Sequence, residues 1–190
     1  MATHVALLRG INVGGRNKVS MPDLRDAVSS LGHEDVATYI QSGNVVFTTR
    51  ETDTAKLSAA LGDAIGERTG VQCQVIVLSG AELAQVAQDN PYSGEPDPKA
   101  VHVVFLPAAP SPEMIASVAE AQDTAARKGS RDKARYVGRA LYLHTPDGFG
   151  RSELATLLTR AARPLSKQGA GTARNLATVR KLLDMCGVPE

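Results

Sequence analysis

The sequence predicts an α+β fold of two tandem units of β-α-β-β-α-β type, the second imperfect and followed by an additional carboxyl-terminal helix. Three observations point there. Short β-rich runs alternate with longer segments of helical apolar period. A stretch of turn formers, Asn90-Pro91-Tyr92-Ser93-Gly94-Glu95-Pro96-Asp97-Pro98, interrupts the chain near its middle, and the element pattern begins again after it. Two hairpin-like runs occupy corresponding places in the halves, Tyr39-Ile40-Gln41-Ser42-Gly43-Asn44-Val45-Val46-Phe47 and Tyr136-Val137-Gly138-Arg139-Ala140-Leu141-Tyr142-Leu143. Their identity is weak, so any internal duplication is one of elements.

The first strand is the apolar run 5–8, followed by a glycine-rich loop. Ser20 and Asp23 form a capping-box-like start, Pro22 suits a first helical turn, and Leu24, Ala27, Val28 and Leu31 share one face of a helix that ends at Gly32. Runs 36–41 and 44–48 flank Ser42-Gly43 as a tight hairpin. Asp53 caps a longer helix with Leu57, Leu61, Ala64 and Ile65 on its buried side, Gly70 closes it, and residues 72–78 alternate as a strand. A short helix runs through Leu83 and Val86. These elements assign residues 1–89 to the first unit and 90–100 to a linker.

In the second unit, 101–190, a strand at 101–106, a helix at 112–121 and a hairpin from 135–137 with 140–144 repeat the order. Helices follow at 153–162 and 174–185. In the second of these, Thr172 is the expected cap, Leu176, Val179, Leu182, Leu183 and Cys186 fall on one arc, and Arg174 and Asn175 occupy the first turn. A cation there opposes the helix dipole, which favours a bound anion or a carboxylate partner. Each unit is expected to be ferredoxin-like, with strands one and three parallel at the sheet centre and the loops after them at one end.

Composition sets bounds on function. The chain has 190 residues, 43% of them hydrophobic, and no Trp, so its core is aliphatic. Cys73 and Cys186 lie outside any metal-ligand spacing, and His4, His33, His102 and His144 show no paired spacing; neither a disulfide framework nor a metal or cofactor site is expected. No segment approaches the length of a membrane span and no secretory leader is evident, so the protein is expected to be cytoplasmic and not membrane-bound, as a monomer or weak dimer. Charge is uneven. Residues 1–126 carry 8 Lys/Arg against 15 Asp/Glu, and 127–190 carry 13 against 5, giving −7 and +8. A basic region of this kind suits a polyanion or complements the acidic half.

The loop Arg9-Gly10-Ile11-Asn12-Val13-Gly14-Gly15-Arg16-Asn17-Lys18 concentrates glycines, cations and carboxamides before a helix start. It fails the P-loop pattern, because Arg16-Asn17 stands where Lys-Ser/Thr is required, and the chain contains no G-x-G-x-x-G. What remains is a concavity of backbone N–H groups flanked by Arg9, Arg16 and Lys18, or else a turn that only reverses the chain. The hairpin tip supplies Ser42 and Asn44, with no nucleophile elbow around the serine. Thr145-Pro146-Asp147-Gly148-Phe149-Gly150-Arg151-Ser152 is a second strand-to-helix loop, in which Ser152 is the expected helix cap.

The segments Ala6-Leu7-Leu8-Arg9-Gly10-Ile11-Asn12-Val13-Gly14-Gly15, Tyr39 to Phe47, Gly148-Phe149-Gly150-Arg151-Ser152 and Thr172-Ala173-Arg174-Asn175-Leu176-Ala177-Thr178-Val179 resemble a bacterial family catalogued only as a domain of unknown function. The resemblance spans almost the whole chain. It implies tandem ferredoxin-like units and brings no activity or catalytic residue. The family commonly has Trp where this chain has Leu176, so base stacking is not expected at that position.

Together these features lead to an expected ligand-binding set of Arg9, Asn12, Gly14, Gly15, Arg16, Ser42, Asn44, Arg151, Arg174 and Asn175, for a phosphorylated small molecule, a nucleotide or RNA. The alternatives are a small-molecule enzyme acting on an anionic substrate and a structural or protein-interaction module. The low aromatic content, 4%, runs against an RNA-recognition sheet that stacks bases on its face.

Overall fold

In the computed structural model, residues 1–162 and 171–188 are described. The chain divides into two compact units, Met1–Gln85 with Arg180–Glu190, and Val86–Val179. The sequence expectation sets the break within 90–100 and leaves the terminal helix wholly with the second unit.

The first unit runs β1 (Ala2–Leu8), α1 (Met21–Ser29), β2 (Glu34–Tyr39), β3 (Asn44–Thr49), α2 (Thr54–Thr69), β4 (Val75–Ser79), and then α3 (Gly80–Gln88). Its sheet has the order β2-β3-β1-β4 with every neighbouring pair antiparallel. Local chemistry sets the helix ends. The Ser20 hydroxyl accepts from the Asp23 N–H at 3.1 Å, and the Asp53 carboxylate accepts from the N–H groups of Ala55 and Lys56. Gly70, at φ +71°, stops α2 in the left-handed conformation that glycine adopts without a Cβ penalty. The core gathers Ala6 and Leu8 of β1, Val45 and Phe47 of β3 and Val75 and Val77 of β4 under Leu24, Val28, Leu57, Leu61 and Ile65 of the two helices. Alternation along each strand puts Val5, Leu7, Val46, Ile76 and Leu78 on the other face, and these are buried too.

The second unit repeats the order with β5 (Val101–Phe105), α4 (Pro112–Arg127), β6 (Lys133–Val137), β7 (Ala140–His144), α5 (Glu153–Ala162) and β8 (Thr172–Asn175), and the chain ends its described elements with α6 (Leu176–Cys186), which crosses into the residues of the first unit at Arg180. The sheet order β6-β7-β5-β8 matches the first strand for strand. Val118, Leu141, Leu143 and Ala155 form its helix-side core, while Val101, Val103, Phe105 and Tyr142 are buried on the opposite face. Tandem ferredoxin-like units followed by a terminal helix are therefore present, with three differences from expectation.

The second unit is complete, because Thr172–Asn175 is a strand. Thr172 and Arg174 alternate inward with Ala173 exposed, and the segment pairs with β5 through His102↔Asn175 to Phe105↔Thr172. The helix α6 starts at Leu176, and its cap is Asn175, whose side-chain oxygen accepts from the Thr178 N–H at 2.8 Å. Thr172 is thus not the cap, and Arg174 does not oppose a helix dipole. Finally, strands one and three of each unit run antiparallel. Each helical crossover skips one strand, so the strands it joins are parallel and the strand between them is antiparallel to both. The loop after the first strand and the loop after the third therefore leave opposite ends of the sheet.

Candidate functional site

The pairings Leu7↔Asn44 and Leu8↔Val75 place the end of β1 and the starts of β3 and β4 at one end of the first sheet. Loop 9–18 and hairpin tip 40–43 meet there. The Leu8 N–H donates to the Gly43 carbonyl at 2.8 Å, and the Arg9 N–H donates to the Gln74 carbonyl at 2.9 Å. Gly43 has no substitute at this point. Its φ is +82°, and a Cβ built on it would stand 2.7 Å from the Leu8 Cβ and 2.8 Å from Ile11 Cδ1.

Asn12 organises the loop. At φ +55° it takes the left-handed conformation that asparagine tolerates, and its amide donates to the carbonyls of Val19 and Gln41, both at 2.9 Å. Its side-chain oxygen accepts from the Val19 N–H at 2.9 Å. One carboxamide thus ties the loop to the hairpin and to the entry of α1. Asn17 adds a bond from its amide to the Gly10 carbonyl, and Val13 and Arg16 close the tip as an isolated bridge. Asn44 is fully buried and donates to the Tyr39 carbonyl and the Ser42 hydroxyl. Ile40 sits at φ +49°, a costly conformation for a β-branched residue, and is half exposed at the same tip.

Of the expected binding residues in this unit, Asn12 and Asn44 spend their side chains on the scaffold. Gly14, Gly15, Arg16 and Ser42 are exposed, and Arg9 is partly buried. A shallow groove of about 520 Å³ lies beside the loop, lined by Asn12, Gly15, Lys18, Val19, Ser20 and Met21 among others. Arg16 and Lys18 form no salt bridge among the described residues. In contrast, the nearby helix start already engages an acid: Ser20 Oγ donates to the Asp23 carboxylate at 2.6 Å, and Arg68 pairs with Asp23 and Asp26.

In the second unit the expected residues lie at the end where β5 begins and β7 and β8 finish. The Thr145 N–H donates to the Ala100 carbonyl, and Asn175 pairs with His102. Arg151 is exposed in a 3₁₀ turn, Phe149–Arg151, that precedes α5. Ser152 is buried and caps α5, accepting from the Ala155 N–H while its hydroxyl donates to the Asp132 carboxylate, each at 2.8 Å. Arg174 is buried, and its Nη1 donates to the Thr172 hydroxyl and the Ala173 carbonyl. Burial pushes its guanidinium down to about 10, so it stays charged at neutral pH. Asn175 is occupied as the α6 cap.

Sequence reasoning misses three groups at this end. His102 stacks on Phe149 with ring centroids 4.2 Å apart, and burial holds its imidazole below the ordinary value. Arg131 pairs with Asp147. A phenylalanine between two glycines, in a chain with three Phe in all, is the available signal for the stack.

No group of His, Cys, Asp and Glu suited to a metal occurs among the described residues, and none of their helices is long and apolar enough to cross a membrane. A family model described as Protein of unknown function (DUF1697) matches residues 1–142. The motifs at 148–152 and 172–179 lie beyond the matched residues. No curated protein matches the chain. Among solved structures, that of the conserved bacterial protein SP0830 from Streptococcus pneumoniae is similar, with a TM-score of 0.71 and 22% identity over 97% of this chain and 98% of that one. At this identity the likeness shows the fold alone.

Proposed function

The chain belongs to the DUF1697 family, whose function is unknown, and we propose that it binds a phosphorylated or otherwise anionic ligand, a nucleotide or RNA, on loop 9–18 of its first unit. One observation carries the proposal. Arg16 and Lys18 stand exposed on a loop whose backbone is fixed by the three hydrogen bonds of the Asn12 carboxamide. A loop held in this way loses little entropy when it binds, and cations with no carboxylate partner among the described residues are ready to meet an anion. Gly14 and Gly15, both at positive φ with open space around them, allow close approach to the main chain. The groove lining brings the Lys18 ammonium together with the polar side chains of Asn12, Ser20 and Gln41, which suits an anionic ligand.

The role of each residue then differs from a simple contact set. Arg16, Lys18 and the glycine N–H groups face the ligand, whereas Asn12, Gly43 and Asn44 hold the loop in place. Bases do not stack on the central sheet strands in this scheme, since β1, β3, β4 and β7 carry buried residues on both faces. The test is a titration of the intact chain with a mononucleotide and with a labelled short RNA, followed by fluorescence anisotropy and calorimetry. Wild-type binding is expected to weaken steeply between about 50 and 200 mM salt for RNA. The double substitution Arg16→Ala/Lys18→Ala should lower affinity at least about tenfold, as the loss of two charge-assisted contacts implies. Saturable binding that ignores this pair, or no binding at all, refutes the assignment.

A further inference from the structure

The turn that carries Phe149 stands apart from loop 9–18, and the inference from it rests on its own residues. Phe149 is 42% exposed although it is packed against another ring. His102 lies on one face of it, with centroids 4.2 Å apart and planes 30° from parallel. With one face of the ring against His102, its exposed area lies away from that contact. Neutral imidazole is the form that burial favours at His102, so the support beneath the ring is an apolar stack at neutral pH.

The residues flanking Phe149 are glycines that add no side chain next to the ring, and the same turn carries cations. A Cβ added at Gly150 would meet nothing within 4 Å, and Gly148, at φ +96°, admits almost nothing but glycine. A Cβ on Gly148 would stand 3.8 Å from Arg151 Nη2, so the guanidinium folds back over the same turn. Arg131 reaches the turn through Asp147, whose carboxyl lies below its usual range because of Arg131 first and Arg151 as a further charge. The Asp147 carboxylate is thus bonded to Arg131 and lies within the electrostatic reach of Arg151, in the loop that carries the partly exposed ring. The turn itself is fixed by the Ser152–Asp132 bond and by Thr145 bonded to Ala100.

We propose that the Phe149–Arg151 turn is a second binding site, for a nucleotide unit whose base stacks on the free face of Phe149 and whose phosphate pairs with Arg151 and Arg131. A supported ring with one free face accepts any base, because every base offers a π surface. Arginine adds the planar fork that suits phosphate. The same unit occurs as a free mononucleotide or within single-stranded RNA, and the two sources are separable by experiment.

The experiment is an NMR titration of the full-length chain, with the aromatic rings and backbone amides labelled, against AMP, ribose 5-phosphate and a short oligoadenylate. AMP should produce saturable ring-current shifts at Phe149 and at the amides of 148–151, with ribose 5-phosphate weaker by about tenfold because it lacks the base. Tighter binding of the oligoadenylate than of AMP assigns the site to RNA, and equal or weaker binding assigns it to the free nucleotide. Phe149→Leu keeps an apolar cap on His102 and removes the π face; it should lose about tenfold in AMP affinity while leaving ribose 5-phosphate unchanged. Arg151→Ala should weaken both. The proposal is overturned if AMP leaves 148–151 unshifted, if AMP and ribose 5-phosphate bind there equally, or if Phe149→Leu retains full affinity. Arg16→Ala/Lys18→Ala should leave these shifts intact even if it abolishes binding at loop 9–18, so either site can fail without the other.

Discussion

Loop 9–18 and loop 145–152 belong to units of the same topology, yet they work in different ways and leave different ends of their sheets. The first follows β1 and is tied by a carboxamide to main-chain carbonyls, which frees its charged side chains. The second follows β7 and is tied by a buried hydroxyl to a carboxylate and by a ring to a ring. A repeated β-α-β-β-α-β order therefore does not repeat a site. The scaffold supplies two loop-bearing ends per sheet, and the local sequence decides which of them is built up.

The contrast breaks most readily at the hairpin tips, which are Gly43 in the first unit and Gly138 in the second. Gly43→Ala combines a left-handed backbone with a Cβ 2.7 Å from Leu8 Cβ, and should cost about 3 kcal/mol. Gly138→Ala, at φ +55° with nothing within 4 Å, should cost about 1 kcal/mol. Chemical denaturation of the two variants measures both; equal losses would mean that the close approach at Gly43 is relieved by movement of Leu8 or Ile11.

A smaller effect is expected where each loop is tied. Asn12→Ala removes two donated bonds and one accepted bond and should cost about 2 kcal/mol, while also mobilising loop 9–18 in amide exchange. Ser152→Ala removes the α5 cap and should cost about 1 kcal/mol, with increased exchange at the start of α5 and not in the first unit. Exchange that spreads across both loops in either variant would sink the idea that each is held locally.

The smallest effect is a slope with pH. His102 in the second unit is held below 6.5 by burial, and His33 in the first by burial and by His4. For both, the unfolded chain takes up a proton more readily than the folded one. Stability is therefore full above about pH 6.5 and declines as the pH falls through the window between the unfolded and folded values. The midpoint of thermal unfolding should drop on acidification from pH 7 toward 5, and His102→Phe should lessen the drop while His33 retains its share. An unchanged slope in that variant would show that His102 takes up its proton equally in the folded and unfolded states.

Much of the fold is legible in the sequence because caps and periodicity act together: Ser20, Asp53 and Gly70 stand where the chain needs them. The strand Thr172–Asn175 is not, since four residues that abut an amphipathic helix read as its first turn, and only pairing with β5 reveals them as a strand. Arg174 misleads for the same reason. Inside a strand its side chain alternates into a buried face, where Thr172 and the Ala173 carbonyl receive it. The carboxamides of Asn12 and Asn44 look like ligand contacts in the sequence because composition reports a donor without saying what accepts from it. Their acceptors, Gln41 and Tyr39, become neighbours only after the hairpin forms.

The first compact unit takes in the residues from Arg180 onward, and Gly80, at the head of α3, lies against Cys186 and Val188. A chain leaving the ribosome therefore holds all four strands of its first sheet long before the segment that finishes that unit exists. The first sheet can pair early, but its full cooperativity waits until the second unit has been made. Contacts this distant in sequence slow folding, and they make docking of the segment from Arg180 onward a late kinetic step.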